Sequence, residues 1–277
     1  MSETLYPAPR PLTVGEVLDL SFRIYRLTFV KCLLFGALAV VSNWLPNLYA
    51  MLRGRTVAQS LVRPPPDFGY GVLLTVGFLL AVVFPVAILY RQYRMATGQE
   101  PGGELARALR LLGRTILVSF LIGGACLLSL VFLVPAFAVT GPARYMLLAV
   151  LLLPAAYVII RLACSLTAMV VEDSNATASV SRSWQLSQGN VLRLAAIYSV
   201  AFFLMLAIYA AVGSVTTLLY GILGRGDVAL IAAAVGVVTV AAGALASPYY
   251  SALGLAVFGD LVVRKEGADL AQRIGAT

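Results

Sequence analysis

The chain has 277 residues, of which 61% are hydrophobic and 12% charged, and its mean hydropathy is +0.93. A water-soluble globular protein of this size does not carry so much apolar surface, so the composition indicates a protein whose solvent is lipid. The formal net charge is +8. The basic residues cluster at the ends of apolar runs, which favours anionic phospholipid headgroups over nucleic acid as the partner.

The residue types needed for most catalytic and metal sites are scarce. Histidine is absent, and Cys32, Cys126 and Cys164 lie in or beside apolar runs without metal-ligand spacing. We interpret these cysteines as small packing residues. Carboxylates within the apolar runs are too few for an aspartyl dyad. We therefore expect a protein that is not an enzyme and that needs no cofactor or metal.

The apolar runs predict an all-α, polytopic membrane protein with six transmembrane helices. Each run is long enough to cross a hydrocarbon core of about 30 Å. We treat residues 1–277 as one integral membrane domain. The predicted spans cover approximately residues 28–52, 70–90, 115–139, 145–171, 191–221 and 228–263.

Arginine and lysine are divided unequally between the two sides of this topology. One side, which holds both termini and the connections between spans two and three and spans four and five, carries 14 of them, and the other carries 5. Cytoplasmic segments are the ones enriched in basic residues, so both termini are expected in the cytoplasm. On the opposite side, Pro64, Pro65 and Pro66 predict a rigid, extended spacer.

The sixth predicted span is longer than a bilayer requires. It covers 36 residues, about 54 Å at a rise of 1.5 Å per residue. We expect this segment to bend at Pro248, to tilt, or to project into water. Gly236, Gly243 and Ser247 lie on roughly one face of it, where small side chains permit close approach of a neighbouring helix.

An amphipathic segment precedes spans one, three and five. These segments cover about residues 13–27, 103–114 and 174–188, and they predict interfacial helices. Each would lead into a helical hairpin, so the chain is predicted to contain three repeats that begin near residues 11, 101 and 174.

Two of the amphipathic segments contain residues suited to a membrane interface. The first opens with Thr13 and Glu16 at capping-box spacing, and Arg26 follows on its charged face. The third places Arg182 and Trp184 where an interfacial helix has a charge and an aromatic anchor. The predicted cytoplasmic face therefore has a collar of charged helices.

Arg161 lies inside the fourth predicted span, 11 positions before Glu172. If Glu172 marks the interface, a straight helix places Arg161 about 16 Å deep, near mid-bilayer. An arginine there costs at least about 2.5 kcal/mol, so it should face a carboxylate, helix-end carbonyls or a water-filled cavity. Asp260 is the candidate carboxylate. Such a pair would be either a packing contact or part of an anion or headgroup site.

Three segments of the chain resemble a family of bacterial membrane proteins. They are RPLTVGEVLDLSFRIYR, RLACSLTAMVVEDSNATASVSRSWQLSQGN and FGDLVVRKEGADLAQR, in chain order. The chain is similar there to the glycerophosphoryl diester phosphodiesterase membrane domain family. The resemblance assigns the family's motif residues to Glu16, Tyr25, Arg26, Arg182, Ser183, Trp184, Gly189, Asn190, Asp260, Leu261, Arg264, Lys265, Glu266, Gly267 and Asp269.

The resemblance implies a membrane domain in a bacterial inner membrane. Members that also have a soluble catalytic domain hydrolyse glycerophosphodiesters with a metal that histidine and carboxylate residues hold. This sequence has no histidine, so that activity is not expected to carry over. Val262 stands where related tails usually have a second arginine, which reduces the positive charge of the C-terminal segment.

Two functions remain open from the sequence. The first is a non-catalytic membrane scaffold whose cytoplasmic collar binds anionic phospholipid or a partner protein. The second is a small transporter or lipid translocator that uses Arg161 as a mid-membrane site. The residues expected to form a lipid, anion or partner site are Arg161, Asp260, Arg182, Trp184, Arg193, Arg264, Glu16 and Arg26.

Overall fold

The computed structural model describes residues 5–8, 10–54, 67–131, 133, 135, 139–223 and 228–275. Of these residues 87% are helical and none is in a strand, which confirms the all-α prediction. The proline spacer predicted at residues 64–66 lies outside the described residues.

Nine helices make up the described part of the chain, and six helical segments are long and apolar enough to cross a membrane, as predicted. Those segments are Val14–Leu52, Phe68–Ala96, Glu104–Leu130, Pro142–Glu172, Val191–Val215 and Gly236–Gly267. The helices are α1 (Val14–Leu52), α2 (Phe68–Ala96), α3 (Glu104–Leu130), α4 (Pro142–Leu151), α5 (Leu153–Leu162), α6 (Ser165–Glu172), α7 (Ala176–Ser187), α8 (Val191–Leu223) and α9 (Val228–Gly275).

The first two amphipathic segments continue into the spans that follow them. At the start of α1 the predicted capping box is present: the Thr13 N–H donates to the Glu16 carboxylate (2.7 Å), and the Glu16 N–H donates to the Thr13 hydroxyl (3.3 Å). Only the third segment forms a separate helix, α7, because the chain turns at Gly189 with φ +81°. The three-fold repeat stays a prediction.

The fourth span is broken twice, into α4, α5 and α6. Pro154 lies in the first turn of α5, where its missing N–H and fixed φ favour a new helix start. A second break at Ala163 and Cys164 separates α5 from α6. In contrast, α9 runs through Pro248 as one helix of 48 residues.

Residue contacts divide the chain into two compact units, and the prediction of a single domain stays a prediction. Unit 1 comprises Met1–Ser21, Gly113–Val200 and Leu253–Thr277. In unit 1, α7 packs against α5 and α6. Its buried side chains include Val17, Met169, Leu186, Leu194 and Phe258.

Unit 2 comprises Phe22–Leu112 and Ala201–Ala252, and its helices approach one another closely at small residues. A Cβ atom added at Gly36 of α1 would lie 2.7 Å from the Ala244 carbonyl oxygen of α9. Added at Gly243, it would lie 2.2 Å from a Val40 methyl carbon. As expected, Gly243 permits the close approach of a neighbouring helix, and that helix is α1.

Replacing Gly36 by alanine is expected to destabilise the protein. The atoms that a Cβ would meet belong to the α9 backbone, so the helices must separate, at a cost of about 1–3 kcal/mol. Gly71 of α2 is the matched control, because a Cβ there meets no atom within 4 Å. Gly71→Ala should leave stability unchanged or raise it by up to about 1 kcal/mol through helix propensity. Unfolding in detergent, followed by circular dichroism, measures both; equal behaviour would contradict the close packing.

Candidate functional site

Asp260 of α9 is the central charged residue of unit 1. It is 1% exposed and forms ion pairs with Arg193 of α8 and with Arg264, one turn further along α9. Asp260 also accepts a hydrogen bond from the main chain: the Leu12 N–H donates to its carboxylate at 2.7 Å. A buried carboxylate needs such compensation, because desolvation of an unpaired charge costs several kcal/mol.

The same two arginines also bind the N-terminal segment. Arg193 and Arg264 both donate hydrogen bonds to the Leu12 carbonyl oxygen. One charged cluster therefore binds both main-chain groups of Leu12, the N–H through Asp260 and the carbonyl through the two arginines. We name Leu12, Arg193, Asp260 and Arg264 the N-terminal clasp.

A second contact seats the N-terminal segment against α9. Tyr6 is buried, and a Cβ atom added at Gly259 would lie 2.7 Å from its ring. Glycine next to Asp260 thus leaves room for the tyrosine ring. The segment before α1 is an integral part of unit 1 rather than a tail.

Arg182 joins α7 to two other parts of unit 1. Its guanidinium forms ion pairs with Glu172 (3.0 Å) at the end of α6 and with Glu266 on α9. Burial alone would lower the pKa of Arg182, but the hydrogen bond to Glu266 and the charges of Glu172 and Glu266 outweigh it and raise the pKa above its ordinary value. The raised pKa keeps Arg182 charged at physiological pH, since the guanidinium loses its proton only as pH rises through that pKa.

Arg161 of α5 is 6% exposed and packs against α7. One guanidinium nitrogen donates to the Tyr157 hydroxyl and another to the Trp184 carbonyl, both at 2.7 Å. The Arg161 Cζ atom also lies 4.0 Å from the centre of the Trp184 ring, a cation–π contact. Among the residues that the structure describes, Arg161 has no carboxylate partner, and its Nε has no hydrogen-bond partner.

The main chain of Arg161 is bound by the same helix. Its carbonyl is one of the last in α5, where helix carbonyls lack intrahelical partners. The Ser183 hydroxyl donates to it at 2.8 Å and the Ser187 hydroxyl at 3.4 Å. Side chain and main chain of Arg161 therefore both fix α7 against α5.

The structure brings predicted site residues together in two clusters. Arg161 and Asp260, which were expected to pair, lie in different clusters. Asp260 lies with Arg193 and Arg264 in the clasp, so the expected pair of Asp260 with Arg161 does not form. The depth of about 16 Å assumed one straight helix. Because the chain breaks between α5 and α6, that assumption does not hold, and Arg161 contacts Trp184 of α7.

The second cluster is Arg161 with Trp184, whereas Arg182, Glu16 and Arg26 belong to neither cluster. Trp184 stacks on Arg161, and Arg182 bridges α6, α7 and α9 as described above. Glu16 caps α1 and pairs with exposed Arg10. Arg26 belongs to unit 2, where its side chain is exposed.

Sequence reasoning missed Tyr157, Ser187 and the Leu12 main chain, and it named Ser183 only as a motif residue of the similar family, without a contact. Ser183 and Ser187 are spaced four residues apart on the buried face of α7, which their position in an amphipathic helix could have indicated. Tyr157 lies four residues before Arg161, one helical turn away. The use of Leu12 has no sequence signal, because its backbone groups carry no residue-specific pattern.

Comparison with known proteins supports the architecture. The sequence model of one family, described as the membrane domain of glycerophosphoryl diester phosphodiesterase, matches residues 127–269, slightly more than half of the chain. The chain belongs to this family. The match covers every residue of the clasp except Leu12, as well as Arg161 and all of α7. No curated protein and no solved structure matches the chain.

Neutralising Asp260 is expected to destabilise this family member strongly. Asp260→Asn keeps the shape but leaves Arg193 and Arg264 without their buried counter-charge, a change that costs about 3–5 kcal/mol for buried pairs. The control is Asp173→Asn: Asp173 is exposed, pairs with Arg114 at 3.0 Å, and has a left-handed φ of 52° that asparagine tolerates. Asp173→Asn should lower the free energy of unfolding by less than about 1 kcal/mol. Unfolding in detergent measures both, and a similar loss in the two variants would refute the central role of the clasp.

Proposed function

We propose that the protein is a non-catalytic, multi-pass scaffold of a bacterial inner membrane, with both termini in the cytoplasm. Its cytoplasmic face would present a preformed surface to anionic phospholipid or to a partner protein. The excess of basic residues on the side of both termini supports this orientation.

The observation that carries the proposal is the environment of Arg161. A transporter that used this arginine would need its guanidinium to face a wet path. Instead the side chain is almost fully buried. Its guanidinium donates hydrogen bonds to a tyrosine hydroxyl and a main-chain carbonyl and stacks on an indole ring. Such a contact supports a role in holding α7 in place.

The charged residues of unit 1 support the same role. Arg182, Arg193 and Arg264 are each paired with carboxylates, and these pairs join α6, α7 and α8 to α9. Hydrogen bonds from Arg193 and Arg264 to the Leu12 carbonyl add the N-terminal segment. Ion pairs of this kind fix the relative positions of the segments they join. A rigid cytoplasmic surface is what a scaffold requires.

The composition supports the absence of catalysis. The sequence contains no histidine, and within the described residues no three histidine, cysteine, aspartate or glutamate side chains come together in a metal-binding group. The family match concerns the membrane domain of an enzyme family and not its catalytic domain. We therefore place the function in binding rather than in chemistry.

Native mass spectrometry of the detergent-purified protein, with a thermal unfolding assay, tests the role of Arg161. Arg161→Ala should lower stability by about 2–4 kcal/mol, because the Trp184 carbonyl and Tyr157 hydroxyl lose a charged donor. The set of co-purifying lipids and small anions should stay the same. Arg114→Ala, which removes an exposed arginine, is the control and should cost less than about 1 kcal/mol.

Loss of one specific bound anion or phospholipid from the Arg161→Ala protein, with stability retained, would overturn the scaffold interpretation. That result would favour the alternative, a transporter or lipid translocator, for which the unpaired Nε atom of Arg161 is the supporting observation.

A further inference from the structure

An aromatic cluster lies in unit 2, outside the charged contacts of unit 1. The ring centres of Phe22 and Tyr249 are 5.1 Å apart, those of Tyr25 and Tyr249 5.9 Å, and those of Tyr25 and Phe29 5.2 Å. Tyr250 extends the group from Tyr249 at 6.3 Å. These five residues, from α1 and α9, form what we call the aromatic cluster.

The aromatic cluster is anchored on one side and open on the other. The Tyr25 hydroxyl donates to the Leu245 carbonyl of α9 at 3.2 Å, which ties the two helices together. The rings of Phe22 and Tyr250 remain exposed. In membrane proteins, exposed tyrosines and other aromatic residues concentrate at the level of the lipid headgroups.

Arg26 lies one helical turn after Phe22, next to the aromatic cluster. Its side chain is exposed, and among the described residues no hydrogen bond or ion pair engages it. This distinguishes it from Arg182, Arg193 and Arg264, whose charges are neutralised inside unit 1. The positive charge of Arg26 is therefore available to an external anion.

Apolar side chains continue the same stripe of α1 beyond Arg26. Val30 and Leu33 follow it by four and seven residues, the spacing of one helix face, and are 79% and 38% exposed. The stripe thus presents an aromatic ring, then a guanidinium, then hydrocarbon. From Arg26 onward, the order of guanidinium and then hydrocarbon matches the order of phosphate and then acyl chain in a phospholipid.

We propose that this stripe binds an anionic phospholipid. The headgroup phosphate pairs with the Arg26 guanidinium, the exposed ring of Phe22 lies beside the polar headgroup, and an acyl chain lies along Val30 and Leu33. Charge complementarity selects an anionic lipid, and exposed Lys31 on the same helix adds to the positive field. The inference rests on the lipid-binding part of the proposed function and moves the lipid contact from the paired arginines of unit 1 to α1.

The test is competitive lipid binding to the full-length protein, measured by native mass spectrometry. The detergent-purified protein is exposed to equal amounts of phosphatidylglycerol and phosphatidylcholine with identical acyl chains, and the ratio of the bound lipids is determined. The wild type should prefer phosphatidylglycerol. Arg26→Gln should reduce that preference about fivefold, which corresponds to about 1 kcal/mol for one basic residue near an anionic headgroup.

Two further variants control for charge and for folding. Arg110→Gln removes an arginine of unit 2 that is likewise exposed but lies on α3, which contributes no ring to the aromatic cluster, and it should keep the wild-type ratio. Arg26→Lys retains the positive charge, so it should retain most of the preference.

The possible outcomes separate this site from the function it rests on. A wild type that prefers phosphatidylglycerol while Arg26→Gln keeps the same ratio would overturn the α1 site alone. An equal fall for Arg26→Gln and Arg110→Gln would do the same, since net charge would then be responsible. A wild type without any preference would overturn both the site and the lipid-binding part of the proposed function. A lipid-free dimer that Arg26→Gln dissociates would assign the stripe to a second copy of the chain.

Discussion

The need to compensate charge inside an apolar protein governs the organisation of unit 1. Asp260 is almost fully buried, and two arginines and one main-chain N–H satisfy it. In a chain with this little polar surface, a buried ion has few partners available, so its partners must come from distant segments. The N-terminal clasp is the result: residues 12, 193, 260 and 264 are brought together by one carboxylate.

The buried charge of Arg161 is compensated without a carboxylate. Its charge is shared among a hydroxyl, a carbonyl and the face of an indole ring, and its own carbonyl accepts from two serines. Cation–π contacts strengthen when the pair is removed from water. The end of α5, directly before the break between α5 and α6, packs against α7.

The two units use their basic residues differently. In unit 1, Arg182, Arg193 and Arg264 pair with carboxylates of the same unit, and these pairs fix its segments. In unit 2, Arg91 is likewise paired, with Glu104 at 2.8 Å, whereas Arg26 is exposed beside aromatic rings. On our proposal, paired arginines provide rigidity and Arg26 provides the contact with the anionic membrane surface.

The sequence by itself determined the all-α class, the six spans, the capping box of α1 and the family, because apolar run length, local spacing and short motifs are properties of neighbouring residues. It also marked Arg161 and Asp260 as charges in need of partners. Only the tertiary structure decided which partners they have. Asp260 meets Arg193 and the Leu12 backbone across 67 and 248 positions of sequence, and Arg161 meets Trp184 across 23. Such pairings depend on where distant helices cross, and no pattern within a single segment encodes that.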